Sequence, residues 1–377
     1  MKLHTQLCDL LKIEYPILQS GMRRIAGPEL AAQVSNAGGL GILAGLLAKG
    51  EDLRVQIRRV RELTDRPFGV NLWLHSELRP PVDPAVLAPE RVRAVQEALN
   101  VFRRRLGVAE STARPAPTPD TFDEAFEVIL EERVPVFSTG LGEPDATRIA
   151  RCHERGIRVL TMVATVEDAR RVASAGVDAV VAQGAEAGGH RSFGVKPRSR
   201  EEAAVGTMVL VPEVVDAVGV PVIAAGGIAD GRGIAAALAL GASGVMLGTR
   251  FVATKESQAA AFWKQAIVEA RGDQTTITDV FTGLYARAIP NTFAAGYEAS
   301  GAPVLPSLLQ SSTAQDVYAA SAAQGNRDYF PLLAGQSSGL IRDLPGAAEV
   351  VASLVAETQA ALAAAAQRAG LALRAES

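Results

Sequence analysis

Cysteine is nearly missing from this chain: two residues in 377, Cys8 and Cys152, with no C-x-x-C spacing between them. Their scarcity excludes a disulfide framework and a cysteine zinc site, and it fits a reducing compartment. Net charge is small, 38 basic residues against 41 acidic ones, giving −3. No Lys/Arg block is dense enough for a nucleic-acid backbone, and the Arg-rich run RVQIRRVR at 54–61 has the spacing of a solvated helix face. Long apolar runs are also lacking. LGILAGLLA at 40–48 is far too short to span a bilayer, and MKLHTQLCDLLKIEYP at the start has scattered charges and no signal-type apolar region. The expectation is a soluble cytoplasmic protein with neither a nucleic-acid nor a membrane partner.

What the chain does have is 48% hydrophobic residues, enough at this length for a large core. Short apolar runs, each followed by a helical pattern, recur over the first 250 residues. The pattern predicts strands at 16–20, 41–44, 68–74, 134–139, 159–163, 179–183, 220–225 and 245–248. Between them lie amphipathic stretches such as PELAAQVSNAG (28–38) and DGRGIAAALALG (230–241), with Thr165 and Asp230 as helix N-caps. Strands alternating with helices require a parallel sheet. Eight units match a closed (β/α)8 (TIM) barrel. The alternative, an open doubly wound sheet, normally shows G-x-G-x-x-G after its first strand, where this chain has LQSGMRR.

Two segments exceed a plain barrel. Residues 75–133 are too long for one crossover and hold a helix near 90–106 between two Pro-rich stretches. Beyond Ser257 the composition is Ala-rich and reads as mostly helical. The expected organisation is a barrel over 1–256 with the 75–133 insertion, a smaller helical lobe over 257–335, and a segment over 336–377 whose last helix, roughly 345–367, returns to the barrel.

In such a barrel the functional groups sit at the C-terminal ends of the strands. Those positions hold no carboxylate pair, no metal-ligand cluster and no serine nucleophile elbow, and Glu186 is the only acid there. A polar site poor in acids and bases points to a cofactor that supplies the reactivity. Gly226-Gly227 and Gly248-Thr249 follow the seventh and eighth strands, the usual phosphate position. Glycine lets backbone amides face a phosphate without a Cβ in the way; the alternative is that these glycines merely turn the chain. His190, one of four histidines, follows Gly188-Gly189 on the loop after the sixth strand, and an imidazole exchanges protons near pH 7. His75 reads as a loop residue. Asn71 and Gln183 at strand ends can bond a heteroaromatic ring or satisfy buried backbone. GGLG at 38–41 and GLGEP at 140–144 have the wrong spacing for a dinucleotide cradle, which favours flavin mononucleotide, with one phosphate and a large ring.

The pieces PILQSGM (16–22), SNAGGLGIL (35–43), FGVNLWL (68–74), AQGAEAGGHRSFG (182–194), VIAAGGIADGRG (222–233), GVMLGTRF (244–251) and LAGQSSGLI (333–341) together resemble the nitronate monooxygenases, formerly called 2-nitropropane dioxygenases. The resemblance implies an FMN-containing TIM barrel with a helical second domain. It places the flavin against Gln19, Ser20, Gly21, Met22, Asn71, Gln183, Gly188, Gly189, Gly226, Gly227, Met246, Leu247, Gly248 and Thr249. It makes His190 the active-site histidine, either orienting an anionic nitronate or acting as base on a neutral nitroalkane. The implied reaction transfers one electron from an alkyl nitronate to FMN. The substrate radical and flavosemiquinone then engage O2, giving a carbonyl compound and nitrite. FMN-dependent enoyl-acyl-carrier-protein reductases and NAD(P)H:quinone reductases have the same type of loop, so those activities, with NAD(P)H as donor, are the alternative. Homo-oligomerisation stays open. Ser192, where many members have glycine, and the long 75–133 insertion depart from the family pattern and bear on substrate access.

Overall fold

The computed structural model describes residues 3–371. Its strands, in chain order, are β1 (Ile17–Gln19), β2 (Gly41–Ala44), β3 (Phe68–Trp73), β4 (Val136–Gly140), β5 (Arg158–Val163), β6 (Ala179–Gln183), β7 (Gly189–His190), β8 (Val222–Ala225), β9 (Gly244–Leu247), β10 (Thr276–Thr278) and β11 (Ala286–Ala288). Eight of them form one sheet in the order β1-β9-β8-β6-β5-β4-β3-β2, and every pair in it is parallel. The ends of that sheet meet. Leu40 N–H donates to Ile17 O and Gln19 N–H to Leu40 O, both at 2.9 Å. The Gln19 side chain completes the seam, its Nε2 donating to Ile42 O at 3.2 Å and its Oε1 accepting from Ile42 N–H at 3.1 Å. The result is a closed (β/α)8 barrel, as the strand count and spacing predict.

Three of the expected strands, β1, β4 and β8, begin later than the apolar runs that announce them, β1 by one residue. β4 starts at Val136 and β8 at Val222 because Pro135 and Pro221, lacking an N–H, cannot join the ladder. Along each strand, residues alternate between two cores. Leu18, Ile42, Val136, Leu160, Val181, Ile223 and Met246 fill the barrel interior, and Leu7, Cys8, Leu11 and Ile13 pack against them beneath. Ile17, Leu43, Val70, Phe137, Val180, Val222 and Val245 face the surrounding helices. Thr165 and Asp230 do cap their helices, accepting from Asp168 N–H in one case and from Arg232 and Gly233 N–H in the other.

The last helix, Ala347–Arg368, packs against the helices Gly231–Ala239 and Pro28–Asn36, filling the outer layer beside β1. Its length and mean hydropathy of 1.3 would let it cross a membrane. Its face formed by Val350, Val351, Leu354 and Thr358, however, is buried on the barrel.

The 75–133 insertion divides its two helices between different cores. Phe122–Glu131 is the ordinary crossover helix, with Phe126 and Ile129 in the outer barrel core. Pro89–Leu106 leaves the barrel, and its Val95, Leu99 and Phe102 join Phe281, Phe293, Tyr297 and Tyr318 in a second core. Arg103, buried within that lobe, pairs with Asp316 at 2.7 Å and also donates to Gln96, Asn100 and Thr313 O. The segment after Ser257 is not all helix. β10 and β11 form a hairpin, and β11 pairs antiparallel with β7, so a three-stranded sheet joins the lobe to the loop after β6. Strands of three residues show no periodicity inside an Ala-rich stretch.

Candidate active site

His190 stands at the mouth of the barrel on β7, directly opposite Ala286 of β11. The edge-on rings of Trp73 and His190 lie 4.8 Å apart, inclined at 69°. His190 Nε2 is 2.9 Å from Thr282 Oγ1. The ring is half-buried in surface terms but crowded by protein. That desolvation, reinforced by the positive potential of His75 and Arg23, pushes its pKa down to about 4. His190 is therefore neutral at pH 7. Arg23, exposed in the loop after β1, has no ion-pair partner among the described residues.

The loop carrying His190 is held by residues that do no chemistry themselves. Gln183 spends its amide on the loop, donating to His190 O at 2.9 Å while its Oε1 accepts from Arg191 and from Ser192 N–H. Arg191, at 2% exposure, has no carboxylate partner; it donates to Ala203 O, Gly184 O and Gln183 O. Burial near Arg287 lowers its pKa to about 10, which leaves it charged at neutral pH. Ser192 is no lining residue: its hydroxyl donates to Met162 O at 2.8 Å and accepts from Leu141 N–H at 2.9 Å. Arg287 crosses from the lobe to Ala185 O at 2.7 Å.

Glu186, the only acid at a strand end, is used structurally. Its carboxylate accepts from Thr207 N–H at 2.8 Å and Thr207 Oγ1 at 2.9 Å, at the start of the helix Thr207–Ala217. His75 lies in the loop after β3, as expected, but is buried there. It is 1% exposed, and its Nδ1 accepts from Glu77 N–H at 3.1 Å. The proton therefore sits on Nε2, which has no protein partner, and burial lowers the ring's pKa.

The strand-end glycines differ in the room around them: a Cβ on Gly226 would meet Ala187 N and Gly184 O at 2.9 Å, and one on Gly227 would meet Glu186 Cβ at 3.3 Å. Gly226 and Gly227 have φ of 104° and 73°, left-handed values that suit glycine. A Cβ on Gly248 would meet only Met22 Sδ, at 3.5 Å. The N–H groups of Gly227 and Gly248 donate to no protein acceptor, as a phosphate cradle requires. Thr249 Oγ1 accepts from Gly335 N–H at 3.0 Å, tying the cradle to the segment after the lobe. The turn Gln19-Ser20-Gly21-Met22 lies against Asn71, with a Gly21 Cβ only 2.4 Å from Asn71 Cβ. Asn71 Nδ2 bonds Ser138 O at 3.2 Å. Gly188 is needed for a different contact: a Cβ there would fall 2.4 Å from Gly335 N, whereas Gly189 faces open space. Met246 points into the barrel interior and Leu247 outward, both buried. The expected residues thus converge on one mouth. Gln19, Gln183, Met246 and Leu247, however, have their side chains engaged within the protein. The amides of Gly227 and Gly248, unpaired among the described residues, and the adjoining Asn71 and Met22 fit a phosphate joined to a planar ring. Among the described residues no His, Cys, Asp and Glu cluster is placed to hold a metal.

Comparison with known proteins gives this mouth its family. The model of the family described as nitronate monooxygenase matches residues 4–357. The chain belongs to the nitronate monooxygenase family. A nitronate monooxygenase of Pseudomonas aeruginosa is 42% identical over 352 residues, covering 92% of this chain and 97% of that protein. A probable nitronate monooxygenase of Staphylococcus saprophyticus is 37% identical over 344 residues, covering 91% and 95%. Among solved structures, a nitroalkane oxidase from Streptomyces ansochromogenes superposes with a TM-score of 0.85 at 35% identity, over 95% of this chain and 99% of that one. FabK from Thermotoga maritima gives 0.73 at 34% identity, over 98% and 99%.

Trp73, Thr282, Arg191 and Arg287 were not singled out by sequence reasoning. Arg191 is adjacent to His190, and a charged residue inside a glycine-rich loop was the signal available. Thr282 and Arg287 had none, since their partners lie 92 and 102 residues away.

Proposed function

We propose that this protein is an FMN-dependent nitronate monooxygenase, oxidising alkyl nitronates and nitroalkanes with O2 to carbonyl compounds and nitrite. The carrying observation is His190 at the mouth, edge-on to Trp73 and bonded to Thr282, with the strand-end carboxylate of Glu186 engaged at a helix start. With no acid–base pair of its own, such a site needs a redox cofactor. Gly226, Gly227, Gly248 and Thr249 would hold the FMN phosphate. The Gln19–Met22 turn, Asn71 and the Gly188-Gly189 backbone would line the ring. FMN supplies the electron transfer that links substrate to O2. The chain's own residues bind and orient: Trp73 bounds the side of the pocket, and His190 faces the substrate.

The runner-up is an FMN-dependent reductase using NAD(P)H, a reading favoured by the likeness to FabK at 34% identity. Anaerobic mixing separates the two. Propionate 3-nitronate should give the spectrum of a one-electron-reduced flavin in the purified holoenzyme promptly, and NADH or NADPH should not bleach it. Rapid bleaching by reduced nicotinamide with inert nitronate would overturn the proposal. His190→Ala should retain FMN while losing roughly 10²–10⁴ in kcat with a nitroalkane, the range of a positioned acid–base group. Wild-type turnover in that variant would remove His190 from the reaction.

A further inference from the structure

We infer that Thr282, contributed by the lobe, fixes the tautomer of His190 so that Nδ1 is the nitrogen that takes a proton from substrate. The inference rests on the nitronate monooxygenase reading above and assigns one of its residues a positioning role.

The argument is a count of hydrogens. A threonine hydroxyl has one hydrogen to give and lone pairs to receive. Thr282 Oγ1 lies 2.9 Å from His190 Nε2 and 3.3 Å from Leu284 O. A carbonyl oxygen can only accept. If the hydroxyl donates to Leu284 O, it is free to accept from a protonated Nε2, and two hydrogen bonds form. If it donates to Nε2 instead, Leu284 O loses that donor and one bond is lost. The first arrangement prevails, with the proton of the neutral ring on Nε2 and the lone pair on Nδ1. Nδ1 has no protein partner, and unlike His75 Nε2 it is not sealed off from solvent. It is the ring nitrogen left open to a substrate.

Both partners are held in place. Thr282 lies in the turn between β10 and β11, where Thr282 and Gly283 N–H both donate to Asp279 O, at 3.2 and 2.8 Å. Gly283 has φ of 94°, and a Cβ there would fall 2.6 Å from Leu305 O, so the turn is pressed against the lobe. His190 is on β7, paired to β11 of the same small sheet. The guanidinium of Arg23 opposes a cationic His190 ring at rest and favours an anion beside it.

For a nitroalkane the step is then defined. The α C–H bond breaks, and its proton moves to Nδ1. The electron pair delocalises into the nitro group, leaving a nitronate against an imidazolium. Nε2–H stays on Thr282 throughout, and the new Nδ1–H can donate to a nitronate oxygen. A nitronate supplied ready-made needs no base.

Thr282→Val keeps the shape but gives Nε2–H no acceptor, so the ring can turn its N–H toward the cleft. Thr282→Ala tests the same loss without the added methyl. Two readouts are needed, both on the flavin-loaded protein. The first is anaerobic exchange of the nitroethane α-hydrogens for deuterium, followed by proton NMR. The second is kcat/KM with ethylnitronate. Both variants should lose exchange by about tenfold or more, within the range for a misplaced general base, while nitronate kcat/KM holds or rises. Thr282→Ser should recover exchange. Equal losses on both readouts, undiminished exchange in the variants, or no recovery with serine would overturn the inference. Failure of the wild type on both substrates would instead overturn the functional reading.

Discussion

Replacing Arg191 by methionine tests whether the histidine loop is held by one buried guanidinium. Methionine keeps most of the volume and removes every donor. Four acceptors lose their partner: Ala203 O at 2.9 Å, Gln183 Oε1 at 2.9 Å, Gly184 O at 2.6 Å and Gln183 O at 2.8 Å. Hydrogen bonds from a charged donor contribute about 1.5–3 kcal/mol each. Taking this donor from four buried carbonyls costs about 1–3 kcal/mol each, and relief of the buried charge offsets part of it, for a net cost of about 3–5 kcal/mol. With tenfold per 1.4 kcal/mol, that corresponds to roughly two to three and a half orders of magnitude in the loop's opening equilibrium. The barrel strands are held by their own ladders, and the effect should stay local. Hydrogen–deuterium exchange by mass spectrometry reads it directly. Peptides from 184–206 should lose protection by that factor while peptides from β5 stay unchanged. Arg191→Lys retains the charge but lacks the planar fork that reaches three carbonyls at once, so it should fall between. Unchanged protection of 184–206 in the methionine variant would refute the idea that Arg191 anchors this loop.

Two further outcomes follow from the mouth of the barrel. Gly227→Leu places a side chain at φ 73° beside Glu186 Cβ, 3.3 Å from the new Cβ, which costs about 1–2 kcal/mol in backbone strain alone. The flavin-to-protein absorbance ratio after gel filtration should drop sharply, and full flavin retention would move the phosphate elsewhere. Arg23→Met removes a positive charge that helps hold the His190 pKa near 4. Proton abstraction needs the neutral ring, so nitroalkane kcat/KM is full above that pKa and is lost as pH falls through it. In the variant the acid limb should move to higher pH, and an unmoved limb would show that Arg23 does not act on His190.

The barrel was legible because its signals are local. Each strand is a short apolar run and each helix an amphipathic stretch, whereas the starts of β4 and β8 after Pro135 and Pro221 were missed. The position of His190 at the mouth followed from the same reasoning, since a glycine-rich loop after β6 must lie at the C-terminal end of the sheet. The functions of the polar side chains were less accessible. Gln19 and Gln183 occupy strand ends as expected, yet one seals the barrel seam and the other clamps the histidine loop. Their alternatives, bonding a ligand or satisfying buried backbone, have identical residue types and spacing.

Sequence alone thus determined the eight-fold alternation, the closed parallel sheet, the glycines at the strand ends and the place of His190 at the mouth, because periodicity and turn chemistry operate over a few residues. Tertiary structure decided what surrounds that histidine. The union of the 89–106 helix with residues 280–318 in one lobe, and the hairpin that carries Thr282 to His190, depend on contacts spanning about a hundred residues or more. Nothing in a local pattern encodes them. They arise because apolar faces left over by the barrel can be buried only against one another, and that packing brings a threonine hydroxyl to the imidazole.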